Sequence, residues 1–230
     1  MRFSKAPVTA LLMLAIVLVF IVEALHAIPP AGHPPVPGGL TVRSLLDATK
    51  NPEVLDSMGA IVPGLFHDHA WWRLFAALFL HAGILHVCLN MWALFQLGYV
   101  FEMMFGSRRF ALTYFVAGIG ASVTSAAFAH DAGSVGASGA IFGILGALIF
   151  AIRRSPFWRE QRWALGLARQ LIGWAALNVA IGFMVPNIDN AAHLGGFVTG
   201  LLLGFLPHRV PPPPPSSIVL NAETVPANRN

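Results

Sequence analysis

The chain has 230 residues, of which 56% are apolar and only 10% charged, where an ordinary soluble domain is roughly one-quarter charged. With a mean hydropathy of +0.69, that balance excludes a soluble enzyme and describes a membrane protein. The formal net charge of +4 lies in short Lys and Arg clusters between apolar runs, a pattern that marks membrane orientation and gives no nucleic-acid-binding face.

A bilayer core of about 30 Å requires about 20 mostly apolar residues per helix. Six candidate runs emerge: near Val8 to Ile28, Leu78 to Phe105, Phe110 to Ala129, Ser138 to Ile152, Trp163 to Met184, and Ala191 to Leu206. The expected fold is all-α and polytopic, a bundle of six transmembrane helices over residues 1–208, followed by a Pro-rich, disordered cytoplasmic tail over 209–230. The first run follows a basic Met1 to Lys5 and contains Val22-Glu23-Ala24, a small-residue pattern at which a signal peptidase could cut. Its apolar length exceeds a signal-peptide core of 7–15 residues, which favours a retained span. The fourth run, about 15 residues long, is too short to cross at 1.5 Å per residue and is expected to start inside the membrane.

Cationic side chains in short loops prefer the cytoplasmic side. Arg2 and Lys5, Arg108 and Arg109, and Arg153 to Arg162 with Arg154 and Arg159 fall between alternate spans and belong inside; Arg209 falls inside again. The loops at 130–135 and 185–190 carry Asp131 and Asp189 and no cation, and belong outside. Residues 29–76 form a long outer loop whose Trp71-Trp72 suits the headgroup region. Both termini are then cytoplasmic, as expected of a bacterial inner (plasma) membrane protein. Cys88 is the sole cysteine and lies in an apolar run, so no intramolecular disulfide is possible.

Polar residues at membrane depth are rare and mark function. In this chain they include His81, His86 and Asn90 on the second span, Gly136-Ala137-Ser138-Gly139 at the start of the fourth, and Asn190-Ala191-Ala192-His193 at the start of the sixth. Ser138 stands where a loop made pliable by Gly133 and Gly136 turns into a helix, next to unpaired N–H groups and the positive end of the macrodipole. That setting suits a nucleophile with an oxyanion beside it, although a serine at a helix start is also an ordinary N-cap. His193 shares a helix face with Gly196, Gly200 and Gly204, and the fourth run offers Gly139, Gly143 and Gly146. Two such rows let helix backbones approach closely. Close approach brings an imidazole to a serine, the pairing that activates a weak nucleophile; a packed polar histidine is the alternative. His86 and Asn90 are four residues apart on one face and read as neutral oxyanion donors, or as hydrogen-bonding links between helices. His81, near Gly83, reads as an organiser of the outer loop. Asp189, four residues before His193, is a possible third member of a triad or simply a solvated loop carboxylate.

Together these residues resemble the rhomboid intramembrane protease family, through Trp72-Arg73, His81, His86 with Asn90, Gly136-Ala137-Ser138-Gly139, and Ala192-His193 with its glycines, over residues 8 to 207. The resemblance implies a six-helix rhomboid-like bundle with a short fourth helix. It implies a Ser138–His193 dyad without an acid, and an oxyanion hole made by His86, Asn90 and the Ser138 backbone N–H, with His81, Gly136, Gly139 and Phe142 in support. Phe142 stands where some relatives carry a tyrosine that stacks on the histidine. The implied activity is hydrolysis of peptide bonds in or near transmembrane segments of single-span or polytopic membrane proteins within the lipid bilayer, with no metal and no organic cofactor. A client-binding, non-proteolytic relative is the main alternative, and a haem or metal protein using His81, His86 and His193 is a second.

Overall fold

The computed structural model describes residues 5–26, 49–128, 133–184 and 188–205. Much of the outer loop, parts of the 130–135 and 185–190 loops, Arg209 and the Pro-rich tail lie outside these residues. Among the described residues the chain is helical, with no strand beyond one isolated bridge. In chain order the helices are α1 (Pro7–His26), α2 (Pro52–Met58), α3 (Arg73–Ala76), α4 (Ile84–Phe105), α5 (Ser107–Phe128), α6 (Ser138–Arg154), α7 (Pro156–Arg159), α8 (Arg162–Met184) and α9 (Asn190–Gly204).

Four of them, α1, α4, α5 and α8, are long and apolar enough to cross a membrane. α6 has 17 residues and α9 has 15, so at 1.5 Å per residue they reach about 25 and 22 Å, short of the bilayer core. The short fourth helix expected from the sequence is α6, and the sixth expected span, α9, is shorter still. α6 is buried along nearly its whole length, from Gly139 to Ile152, as befits a helix that is apolar on every face. Around it pack α4, α5, α8 and α9. The outer walls of the long helices present Leu14, Leu18, Val116 and Ile181 outward, where lipid replaces water as the solvent.

Between apolar helices in lipid, association comes from close packing and hydrogen bonds. The glycine rows supply the first. A Cβ placed on Gly196 would meet the carbonyl of Gly139, and one on Gly200 the carbonyl of Gly143, while Gly146 faces the Phe197 carbonyl. The second comes from Glu102 of α4, whose buried carboxylate accepts from the Val8 N–H at 3.0 Å, the Thr9 N–H at 2.8 Å, the Thr9 hydroxyl at 2.8 Å and the Ser107 hydroxyl at 2.6 Å. It thereby caps the positive end of α1 and ties that helix to the α4–α5 turn.

From residue 49 onward the outer loop is braced. α2 ends at Gly59 with a left-handed φ of 110°, a conformation natural to glycine, and the Trp72 ring covers it. Arg73 donates to the Asp56 carbonyl and carboxylate, both at 2.8 Å, and to the Ala60 carbonyl at 2.9 Å.

One boundary differs from the sequence expectation. The second span does not begin at Leu78: residues 78–83 are non-helical turn, bend and irregular backbone, and α4 starts at Ile84. Gly83, at φ 99°, cannot continue a right-handed helix, and the Gly83 N–H bonds to the His81 carbonyl at 2.9 Å instead. His81 is therefore a turn residue ahead of the helix.

Candidate active site

The loop residues that feed α6 are tied to the protein through their backbone. Ile61 and Ser134 exchange two N–H···O bonds of 2.9 Å, and the Gly136 N–H donates to the Ala77 carbonyl at 2.8 Å. Buried non-helical backbone is tolerated at membrane depth when its polar groups are paired in this way. Gly136 has φ 126°, and a Cβ there would lie 2.9 Å from Cε1 and Nε2 of His86. Conformation and space both demand glycine at this position.

Ser138 is the first residue of α6, and the cap position belongs to Ala137, which makes no side-chain cap bond. The N-cap reading of the serine is thus set aside. Its Oγ lies 3.0 Å from Nε2 of His193 on α9, although 55 residues separate the two. The Gly139–Gly196 contact, one residue beyond Ser138 and three beyond His193, fixes how near the two helices come.

His193 is 8% exposed, and its ring stacks on Phe142 with centroids 4.3 Å apart and planes 9° from parallel. Nδ1 of His193 is buried with no hydrogen-bond partner among the described residues. Asp189 does not reach it. That carboxylate caps α9, accepting the Ala192 N–H at 2.8 Å and the Ser125 hydroxyl of α5. The triad reading of Asp189 is therefore corrected: its oxygens are engaged with the helix start and with α5.

His86 and Asn90 sit on the first two turns of α4 on the opposite side of Gly136. Asn90 gives one amide hydrogen to the His86 carbonyl at 3.1 Å, which leaves its second for another acceptor. His81 is fully buried, and its ring meets that of His86 edge to face at 5.0 Å. Among the described residues no group of three or more His, Cys, Asp or Glu side chains could hold a metal ion.

Ser138, His193, His86 and Asn90 all line one cavity of about 1170 Å³. It extends along the facing sides of α4 and α8, where Trp92 and Trp174 meet with ring centroids 4.9 Å apart. Such a site can do serine chemistry: a hydroxyl beside a base, and N–H donors across a narrow gap.

Sequence reasoning missed two buried carboxylates. Glu102 was passed over within an apolar run. Glu23 is fully buried on α1 and accepts the His81 backbone N–H at 3.0 Å. A single acid in a long apolar helix, of 20 residues in α1 and 22 in α4, was the available signal in both spans.

The fold and site define an integral membrane protein whose helices bring a serine and a histidine together within the bundle. Residues 68–210 match the family model of the Rhomboid domain, and the chain belongs to the rhomboid family. It is 43% identical over 153 residues to RHOMBOID-like protein 1 of Arabidopsis thaliana, covering 66% of this chain and 39% of that protein. It is 41% identical over 152 residues to the rhomboid protease GluP of Bacillus subtilis, covering 65% and 29%. Inactive RHOMBOID-like protein 8 of Arabidopsis thaliana is 31% identical over 146 residues, covering 63% and 41%. The chain spans less than half the length of each of these relatives.

Proposed function

We propose that this protein is an intramembrane serine endopeptidase that cleaves membrane-protein substrates in or near their transmembrane segments. The observation that carries the reading is the 3.0 Å contact between Ser138 Oγ and His193 Nε2 inside the cavity. His193 takes the hydroxyl proton as Oγ attacks the scissile carbonyl, and returns it to the leaving amine; water then hydrolyses the acyl-enzyme with His193 again as base. His86, the free amide hydrogen of Asn90 and the Ser138 N–H receive the oxyanion. Gly136 and Gly139 keep the gap narrow, and Phe142 holds the imidazole plane.

The facing sides of α4 and α8 give a substrate helix its route, parting at Trp92 and Trp174. In the proposed orientation the clusters at Arg108-Arg109 and Arg153 to Arg162 face the cytoplasm and the outer loop faces away from it, with both termini inside, as in a bacterial inner membrane. Residues 1–208 act as one rhomboid-like unit, with 209–230 as a tail.

The competing reading, a client-binding relative without hydrolysis, draws on the inactive relative. It is disfavoured because nucleophile and base are both present and in contact. Reconstituted protein should cleave at least one member of a panel of single-span reporters, and Ser138→Ala should cleave none. Equal cleavage by both would refute the serine mechanism.

A further inference from the structure

Among the described residues, none of those lining the cavity lies on α1, yet α1 places a carboxylate directly behind the site. Glu23 is 0% exposed, in a helix whose neighbouring residues are apolar. An acid buried at membrane depth is disfavoured unless it has a task, and this one has a specific partner. Its Oε1 accepts the backbone N–H of His81 at 3.0 Å. The His81 ring is fixed as well: Nδ1 lies 3.1 Å from the Phe79 carbonyl, which can only accept, so Nδ1 carries the proton.

This anchored ring and that of His86 meet edge to face with centroids 5.0 Å apart, and His86 lies against Gly136, two residues from Ser138. The contacts therefore run in series from Glu23 to His81, from His81 to His86, and from His86 to Gly136 beside the serine. The turn they hold, residues 78–83, is also the one whose Gly83 starts α4 at φ 99°, and so sets the rotation at which α4 presents His86 and Asn90.

We propose that Glu23 is a positioning residue for the oxyanion donors, holding the His81 turn and through it the His86 ring. The proposal rests on the protease reading above and adds to it a requirement for α1. Without an acceptor the His81 N–H becomes an unpaired buried donor, a state native structures avoid, and the turn relaxes. His86 then loses its aim while Ser138 and His193, held by the α6–α9 seam, keep theirs.

The test is steady-state cleavage of a membrane reporter by reconstituted full-length protein. Glu23→Ala and the bulk-preserving Glu23→Leu should each lower kcat by about tenfold or more with KM unmoved, less than the 10²–10³ of deleting a donor outright. Glu23→Gln, which retains an acceptor oxygen, should recover most of the loss. The double variant Glu23→Ala with His86→Ala should be no slower than His86→Ala alone, because residues acting in series are not additive. A kcat of wild-type size in Glu23→Leu, or losses that multiply in the double variant, would overturn the positioning role. A wild-type protein that cleaves no reporter would instead remove the protease reading beneath it.

Discussion

When Nε2 of His193 accepts from Ser138, Nδ1 must carry the ring's proton, and no acceptor faces that buried N–H among the described residues. In a triad a carboxylate would hold the ring there; in this site the flat contact with Phe142 does so. Asp189 tests the difference. As an N-cap it can be replaced by Asn, an equally good cap, so Asp189→Asn should keep kcat within a few-fold. Asp189→Ala should lower stability by about 1 kcal/mol. As a triad acid it would instead lose about 10⁴ in kcat on conversion to Asn. On the other side of the gap, His86→Ala and Asn90→Ala should each lower kcat by about 10²–10³ with little change in KM, since their bonds strengthen only as the oxyanion develops. A rise in KM alone would assign them to ground-state binding. Ser138, His193, His86 and Asn90 were legible in the sequence because polar side chains in apolar runs stand out. Glu23 and Glu102 stood out no less, but their roles depend on partners 58 and 93 residues away, which spacing along one helix cannot reveal.

At the scale of helices, the α6–α9 seam converts glycine spacing into the Ser138–His193 distance. Reading Gly196, Gly200 and Gly204 against Gly139, Gly143 and Gly146 was sufficient to place the two helices together, because only small residues permit such contact. Gly200→Ala puts a methyl on the Gly143 carbonyl. Overpacking of this kind typically costs 1–3 kcal/mol, and the separation it forces acts directly on the 3.0 Å contact, so cleavage should fall by at least tenfold. Gly173→Ala on α8 is the control, because a Cβ there meets nothing within 4 Å; it should leave kcat unchanged and thermal stability no lower, since alanine is the better helix former. Equal behaviour of the two variants would show that the seam does not set the site. The start of α4 was less legible. The apolar pattern that runs on from Leu78 is interrupted only by His81 and Gly83, and the positive φ of Gly83 and the buried bond to Glu23 explain why the helix waits until Ile84.

For the whole molecule, the loop cations predict which face meets the cytoplasm. Ser57 on α2 and Glu160 after α7 are exposed reporters of the two faces, whereas Ser155 is buried and caps α7. In a Cys88→Ser background, an impermeant thiol reagent applied to intact cells should label Ser57→Cys and spare Glu160→Cys. The reverse pattern would invert the orientation and put the cavity on the other side.

The central claim is that His193 activates Ser138, and a serine-directed fluorophosphonate probe measures that directly. An unassisted hydroxyl is a poor nucleophile at neutral pH, so covalent capture reports the base as well as the serine. Peptide mapping should find the probe on Ser138 in the wild-type protein, with labelling lost as the imidazole is protonated at acid pH, because a protonated ring cannot accept the hydroxyl proton. His193→Ala should abolish labelling with the fold intact, and Asn90→Ala should leave a slower reaction. Rapid, pH-independent labelling of Ser138 in the His193→Ala protein would contradict the dyad.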